Sequence, residues 1–192
     1  MRVDEIDLLR ARHYDLLATV LGRVPCGRVL AQVSGLHGDA TPLGSALGAL
    51  GRAARGADPQ SLERDHFDVF IGVGRGKLLP YASYYLTGFL NERPLARVRE
   101  DLAALGLERS ESVSEPEDHA AILLEVMAGL ASARFDAEPG FEQRFFERHL
   151  KPWARRFFED LEGAAGTDFY RAVGALGRLF LEIEAEAFAM DP

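Results

Sequence analysis

Apolar residues recur every three or four positions along most of this chain, which is the spacing of helices that bury one face. The first such run extends from Asp4 to Gly22, where glycine is a natural helix C-cap. No segment alternates apolar and polar residues as a half-buried strand would. The pattern therefore predicts an all-α protein, a single-domain helical bundle of about eight to ten helices.

Proline and capping residues set the predicted helix boundaries. In Thr41-Pro42 and Asp58-Pro59 an N-cap residue precedes proline, which suits a first turn because its missing N–H needs no partner there. Pro25 and Pro94 mark two further starts, and Asp168 is the predicted cap of the last helix. Besides the first run, helices are predicted over residues 25–34, 42–55, 59–70, 94–105 and 169–188.

The clearest periodic apolar segment, from Ala120 to Ala133, opens with Glu115-Pro116-Glu117-Asp118-His119. Ser114 stands three residues before Glu117, which is the spacing of a capping box, and Pro116 suits a first turn. A helix is therefore predicted to begin near residue 115. At roughly 100° per residue, His119 lies on its apolar stripe and Asp118 on the polar edge, toward the face that carries Glu125 and Gly129.

Two interpretations of this pentapeptide stay open at the level of the residues. In the first, the acidic residues interact with the positive end of the helix dipole, and His119 is a hydrogen-bonded core residue. In the second, an exposed acidic helix mouth receives a basic peptide, and His119 shapes its floor.

A glycine-rich stretch from Gly72 to Tyr81 is predicted to be a loop. A phosphate-binding P-loop would need glycine where Ile71 stands and Ser or Thr where Leu78 stands, so a flexible connection is the better interpretation. The aromatic residues that follow, Tyr81, Tyr84, Tyr85 and Phe89, favour either core packing or a partly exposed binding surface.

A second aromatic block runs from Phe141 to Leu161 and contains Pro152, which predicts two helical pieces on either side of a break, with Trp153 just past it. This block is expected to form core. The polar stretch 107–114 is the best candidate for a hinge. It predicts two subregions, about 1–106 and 119–192, joined by a hinge over 107–118.

Composition narrows the classes of function. The 192 residues are 47% hydrophobic, enough for a core, and the single cysteine, Cys26, excludes an intrachain disulfide. The acidic N-terminus lacks the basic and apolar regions of a secretory signal, and no stretch is apolar enough to span a membrane. A cytoplasmic protein is expected. The net charge of −8 argues against nucleic acid and for neutral or basic partners.

Catalytic chemistry does not assemble from the sequence. No Ser, Cys or His stands in a context typical of an activated nucleophile. One alternative is an all-helical metal hydrolase that uses the Asp118/His119 pair, with further histidines drawn from His13, His37, His66 and His149. Another is a helical scaffold whose main property is dimerisation, by exchange across the hinge.

Three elements in order carry a resemblance to a known family. Glu115-Pro116-Glu117-Asp118-His119 resembles the Glu-Pro-x-Asp-His signature of the TorD/DmsD/NarJ chaperones for molybdenum enzymes. Upstream, Pro80-Tyr81-x-Ser83 is similar to the family's loop before an aromatic and a serine. Downstream, Phe145-Phe146-x-x-His149-Leu150-x-Pro152-Trp153 is similar to its Phe-x-x-His-Leu-x-x-Trp element.

The resemblance implies a non-enzymatic, all-α maturation factor with no metal site. Its expected partners are the twin-arginine signal peptide and the apo-form of a molybdenum or tungsten oxidoreductase subunit, which the family holds until cofactor insertion and export. The run from Tyr84 to Pro94 is most similar to members associated with formate dehydrogenases. GTP binding has been proposed for some members, but no nucleotide motif here supports a cofactor. Monomers, homodimers and domain-swapped oligomers are all compatible with the family.

The resemblance also implies site residues. Positions matching Asp118, His119, Pro80 and Tyr81 are implicated in leader binding, although Tyr81 stands where some members have tryptophan. Three neighbouring residues complete the predicted peptide-binding set: the acidic Glu115, the proline Pro116 and the aromatic Tyr84. Among these, Asp118 is expected to be the direct partner of a leader arginine, and His119 to point toward the core.

Overall fold

In the computed structural model of the chain, which describes residues 4–109 and 114–190, ten α-helices make up most of the regular structure. They are α1 (Glu5–Gly22), α2 (Gly27–Ser34), α3 (Pro42–Arg55), α4 (Pro59–His66), α5 (Ala82–Thr87), α6 (Arg93–Ala104), α7 (Ala120–Ala131), α8 (Phe141–His149), α9 (Ala154–Ala164) and α10 (Asp168–Met190). Those two ranges contain no β-strand, only an isolated antiparallel bridge between Tyr81 and His119. The prediction of an all-α fold is confirmed.

Helices α3 and α4 begin at Pro42 and Pro59, where the sequence predicts. Helix α2 begins at Gly27, two residues after its predicted start at Pro25, and α6 begins at Arg93, one residue before Pro94. The Thr41 hydroxyl accepts a hydrogen bond from the Gly44 N–H at 3.0 Å, and the Asp58 carboxylate accepts one from the Ser61 N–H at 2.9 Å. Each side chain satisfies an N–H that has no partner within its own helix. Pro152 separates α8 from α9, so the predicted break is confirmed.

The helix after Asp58 is shorter than its predicted range of 59–70. Helix α4 ends at His66 and continues as a π-helical turn, Phe67–Ile71, which closes with a 2.7 Å hydrogen bond from the Gly72 N–H to the Phe67 carbonyl. The wider turn precedes the glycine-rich loop, which lacks helical structure as predicted.

The predicted helix start near residue 115 is wrong, because α7 begins at Ala120. His119 has extended backbone angles (φ −67°, ψ 138°) and occupies the N-cap position, where its Nδ1 accepts a hydrogen bond from the Ala121 N–H at 3.1 Å. Residues 115–118 form a turn that the His119 N–H closes on the Pro116 carbonyl at 3.0 Å. The acidic residues therefore precede the helix and do not belong to its first turn.

The chain divides into two compact units, each built from two segments. The first contains Met1–Gly22 and Pro80–Trp153, and the second contains Arg23–Leu79 and Ala154–Pro192. In the first unit α1 packs along α7, with Tyr14 and Leu17 of α1 and Leu123 and Met127 of α7 fully buried. The aromatic side chains of α8 complete this core.

In the second unit α10 packs against α9 and α3, and α2 packs on α3. The contact between α9 and α10 is close, because a Cβ at Gly174 would lie 2.5 Å from the backbone nitrogen of Glu162. A side chain at this position would push the two helices apart. Phe157 and Phe158 fill the core beside them, as expected for the aromatic block, and Phe169 of α10 is buried there as well.

This division differs from the two subregions that the sequence suggests. Helices α1 and α7 fall on either side of the predicted hinge but lie in the same unit. Part of that hinge, residues 110–113, lies outside the described residues, and the single-domain arrangement with a hinge over 107–118 stays a prediction. Within the described ranges, no helix combines the length and the apolar character required to cross a membrane.

Candidate functional site

Two distant stretches of sequence cross at the bridge between Tyr81 and His119. The Ala82 N–H donates to the Asp118 carbonyl at 3.0 Å, and the Ala120 N–H donates to the Pro80 carbonyl at 2.8 Å. The bridge therefore joins the start of α5 to the start of α7. It brings the first two motif elements of the sequence, the 80–83 stretch and the 115–119 turn, into direct contact.

Asp118 caps α5 from across this bridge. The residue at the N-cap of α5 is Tyr81, whose side chain makes no capping hydrogen bond. The Asp118 carboxylate takes that role, because its Oδ2 accepts a hydrogen bond from the Ser83 N–H at 2.8 Å. A negative charge at a helix N-terminus is also favoured by the helix dipole.

The side chain of Asp118 is fully buried, and its Oδ1 has no hydrogen-bond partner among the described residues. The expected position on an exposed polar edge is wrong, because the chain pairs with residues 80–82 and directs this carboxylate into the interior. Its role in peptide binding stays a prediction. A buried carboxylate with an unused oxygen is costly, so this arrangement needs the capping contact to hold it.

Glu115 contacts the hydroxyl of Tyr81, and His119 contacts its ring. The Tyr81 hydroxyl donates a hydrogen bond to Oε2 of Glu115, and the Tyr81 ring meets the His119 ring edge to face at 5.1 Å. Burial is the main cause that raises the pKa of the Tyr81 hydroxyl well above its ordinary value, and the hydrogen bond to Glu115 raises it further. The Glu115 side chain stays half-buried, so it borders solvent beside an aromatic ring.

Glu117 faces a different partner, Arg99 on α6. The Arg99 guanidinium donates from Nε and Nη2 to Oε2 of Glu117, at 3.0 and 2.9 Å. Burial alone would raise the pKa of the Glu117 carboxyl, but the hydrogen bond and charge of Arg99, together with a backbone hydrogen bond and the charge of Arg109, hold the pKa below its usual value. Glu117 is therefore an ion-pair partner of α6 and is not part of a capping box.

The third motif element joins the same unit through Trp153. The Trp153 ring lies 5.3 Å from the ring of Tyr85 on α5, and its indole N–H donates to the His149 carbonyl at 2.6 Å. The His149 ring nitrogen Nε2 lies 2.6 Å from Oδ2 of Asp101 on α6. Burial lowers the pKa of His149 in spite of that carboxylate.

The structure therefore places all the predicted site residues in one unit, in different surroundings. Pro80, Asp118 and His119 are buried, His119 as expected, whereas Glu115, Pro116, Tyr81 and Tyr84 are half-buried. The sequence interpretation missed Arg99 and Asp101, because neither stands in a motif. Their spacing on one helix gives no signal of the partners that they meet.

No group of three or more His, Cys, Asp or Glu side chains is placed to hold a metal ion in the two described stretches of the chain. The hydrolase alternative needs such a group around Asp118 and His119. In the structure, the Nδ1 of His119 accepts a hydrogen bond from the Ala121 N–H, and Oδ2 of Asp118 accepts one from the Ser83 N–H at the start of α5.

Comparisons with known proteins place the chain in a family. The family described as "Nitrate reductase delta subunit" matches residues 36–159. A protein named "Chaperone protein TorD" from Vibrio cholerae is 33% identical over 144 residues, which is 70% of this chain and 66% of that protein. A protein of the same name from Aliivibrio fischeri is 31% identical, over 71% of this chain and 69% of that protein.

The match to the Vibrio cholerae protein thus spans just under two thirds of that relative's length. These relatives are named chaperones, which is a non-enzymatic role. A crystal structure from Archaeoglobus fulgidus, of a protein assigned to redox enzyme maturation, shares the fold with a TM-score of 0.64 and 20% identity. The structural match covers 89% of this chain and 93% of the Archaeoglobus chain.

Proposed function

Because the chain belongs to the nitrate reductase delta subunit family, which includes the TorD and NarJ chaperones, we propose that it is a cytoplasmic redox-enzyme maturation chaperone. Its clients are the twin-arginine signal peptide and the apo-form of a molybdenum or tungsten oxidoreductase subunit. It holds that subunit until the metal cofactor is inserted and the enzyme is exported. The chaperone carries no cofactor of its own and acts as a monomer or a homodimer.

The observation that carries this proposal is the crossing of the 80–83 stretch with the 115–119 turn. At this crossing the half-buried carboxylate of Glu115 lies beside the half-buried Tyr81. The buried Asp118 carboxylate stabilises the adjoining backbone by accepting a hydrogen bond from the Ser83 N–H. A peptide with two arginines followed by an apolar stretch needs a carboxylate next to an apolar surface. This crossing supplies both.

In this proposal the roles of Glu115 and Asp118 differ from those that the sequence predicts. Glu115 uses one oxygen for the Tyr81 hydroxyl and has further acceptor capacity, so it is the residue that receives a leader guanidinium. Asp118 is a positioning residue, because its buried carboxylate fixes the start of α5. Three exposed apolar residues at and beyond the end of α5, Leu86, Phe89 and Leu90, offer contact area for the apolar stretch.

The client we propose is a formate dehydrogenase. The support is the run from Tyr84 to Pro94, which is most similar to the members associated with that enzyme and contains the exposed apolar residues just described. Titration with leader peptides of formate dehydrogenase and of another molybdenum enzyme checks this, with tighter binding of the first expected.

The proposal predicts that a synthetic twin-arginine peptide binds the protein and that Glu115→Gln weakens binding about tenfold, the effect of one lost charge-assisted contact. Asp118→Asn should weaken it as well, by loosening the start of α5. Isothermal titration measures the affinities, and circular dichroism shows whether the fold is retained. Glu100→Gln is the matched control, because Glu100 is a largely exposed surface carboxylate of the same unit.

Two results would contradict the proposal. The first is a wild-type protein that does not bind the peptide at all. The second is folded Glu115→Gln and Asp118→Asn variants whose affinity equals that of Glu100→Gln. In that case the crossing of the two stretches is a purely structural feature.

A further inference from the structure

A cavity of about 250 Å³ lies in the first unit, beside α6 and α7. Its apolar walls come from Leu102 on α6, Ile122 and Val126 on α7, and Phe135 in the segment after α7. An apolar protein cavity of about 150 Å³ is large enough to bind benzene. This cavity therefore has room for a side chain of the size of leucine or phenylalanine.

One wall of the cavity depends on a glycine. A Cβ at Gly129 would lie 2.0 Å from Cε2 of the Phe135 ring, so the ring rests on bare helix backbone. Gly129 and the cavity-lining Glu125 share one face of α7, as the helical spacing predicts, and the Phe135 ring covers that face at Gly129. Phe135 itself is half-buried, so part of its ring borders the opening.

The rim of the cavity is acidic. Among the described residues that line it, Glu108, Glu117 and Glu125 carry carboxylates, and Arg109 carries the single guanidinium. Glu117 is already paired with Arg99, whereas Glu125 is exposed and has no ion pair within the described ranges. An apolar cavity with a net negative rim favours a guest that has an aliphatic or aromatic side chain next to a basic one.

We propose that this cavity binds one bulky apolar side chain of the client peptide, with a neighbouring basic residue of the peptide at Glu125. The inference rests on the proposed function, because a leader peptide has this chemistry of arginines followed by apolar residues. It adds a second anchoring point next to Glu117, separate from the Tyr81 and Glu115 contact. The peptide would then be held by a charged contact and by an apolar anchor.

The isoleucines of the chain offer a direct readout. The chain contains four, Ile6, Ile71, Ile122 and Ile183, so selective methyl labelling gives four NMR signals. Ile122 lines the cavity, whereas the other three are exposed and do not line it. The probe is a synthetic peptide with two adjacent arginines followed by leucines. We expect it to shift the Ile122 signal most, and Ile122→Val assigns that signal.

Two substitutions test the walls and the rim separately. Ile122→Trp fills the cavity and should weaken peptide binding about tenfold, as should alanine in place of the anchoring leucine of the peptide. Glu125→Lys should also weaken binding about tenfold. Its matched control is Glu63→Lys, which makes the same charge change at an exposed residue of α4 that does not line the cavity.

The outcomes separate this inference from the proposed function. If the peptide binds but the Ile122 signal does not move, and Glu125→Lys matches Glu63→Lys, the cavity is not the anchor, although the chaperone proposal stands. If the wild-type protein does not bind the peptide at all, both proposals are wrong.

Discussion

Glu117 and Asp118 are adjacent in the sequence, yet their carboxylates have different surroundings. Glu117 accepts two hydrogen bonds from the Arg99 guanidinium, whereas the fully buried Asp118 accepts one from the Ser83 N–H and keeps one oxygen without a partner among the described residues. A buried ion with incomplete hydrogen bonding has a cost that its neighbours must offset. The turn before α7 therefore gives each acidic residue a separate task.

The Tyr81 hydroxyl makes the stability of the protein depend on pH in the alkaline range. Because the pKa of its hydroxyl is raised in the folded protein, the folded protein holds this proton more tightly than the unfolded chain does. The contribution to stability is complete below about pH 10, the ordinary tyrosine pKa, and is lost as the pH rises through the folded pKa. Tyr81→Phe should therefore show a shallower loss of stability above about pH 10 than the wild-type protein.

Urea unfolding at pH 7 and at alkaline pH measures this difference. Tyr170→Phe is an informative companion, because burial also raises the pKa of the Tyr170 hydroxyl. Removal of both hydroxyls should flatten the alkaline limb further. Parallel curves for wild-type protein and Tyr81→Phe would show that the Tyr81 hydroxyl titrates alike in the folded and unfolded states.

At the scale of elements, caps supplied from a distance recur in both units. In the first unit Asp118 caps α5. In the second unit the buried Asp65 of α4 accepts hydrogen bonds from the Gly166 N–H and the Thr167 N–H, both at 2.8 Å, and from the Thr167 hydroxyl at 2.6 Å. Thr167 immediately precedes α10, so the carboxylate that organises this helix start is Asp65 rather than the predicted Asp168.

We predict that Asp65→Ala lowers the free energy of unfolding by about 3 kcal/mol, because it leaves buried donors without their charged acceptor. The measurement is urea unfolding followed by circular dichroism. Asp168→Ala is the matched control, since Asp168 is 86% exposed and its ion pair among the described residues is with Arg171 on the surface. It should change the stability by less than about 0.5 kcal/mol. Equal effects of the two substitutions would contradict a special role for Asp65.

At the scale of the whole molecule, the net charge of −8 bears on association with a basic partner. Such a charge attracts cationic peptides over a distance that salt shortens. The effect is separate from the local contacts at Glu115 or Glu125, because every acidic group contributes to it.

The affinity for a twin-arginine peptide should fall several-fold between 0.1 and 1 M NaCl, as the screening length drops from about 10 to about 3 Å. Titration calorimetry across this range measures the slope. A peptide with glutamine in place of both arginines provides the control and should show little dependence on salt. A wild-type slope no steeper than that of the glutamine peptide would mean that apolar contacts alone drive binding.

The sequence by itself determined the helical class, most helix positions, the break at Pro152 and the three motif elements of the family. These follow from local physics, since apolar spacing, proline and capping residues act within a few positions. Residues 115–119 carried the same local signals of a helix start, and there the prediction of the boundary failed. The signals were outweighed by the pairing with residues 80–82, which no local pattern encodes.

Only the tertiary structure decided which groups are exposed and which are partnered. It turned Asp118 from an expected surface contact into a buried cap, paired Glu117 with Arg99, and set Asp65 at the start of α10. It also formed the acid-rimmed cavity from α6, α7 and Phe135, which are separated along the chain. Burial and partner choice depend on contacts between distant segments, and a single sequence records the residues of those contacts without recording their pairing.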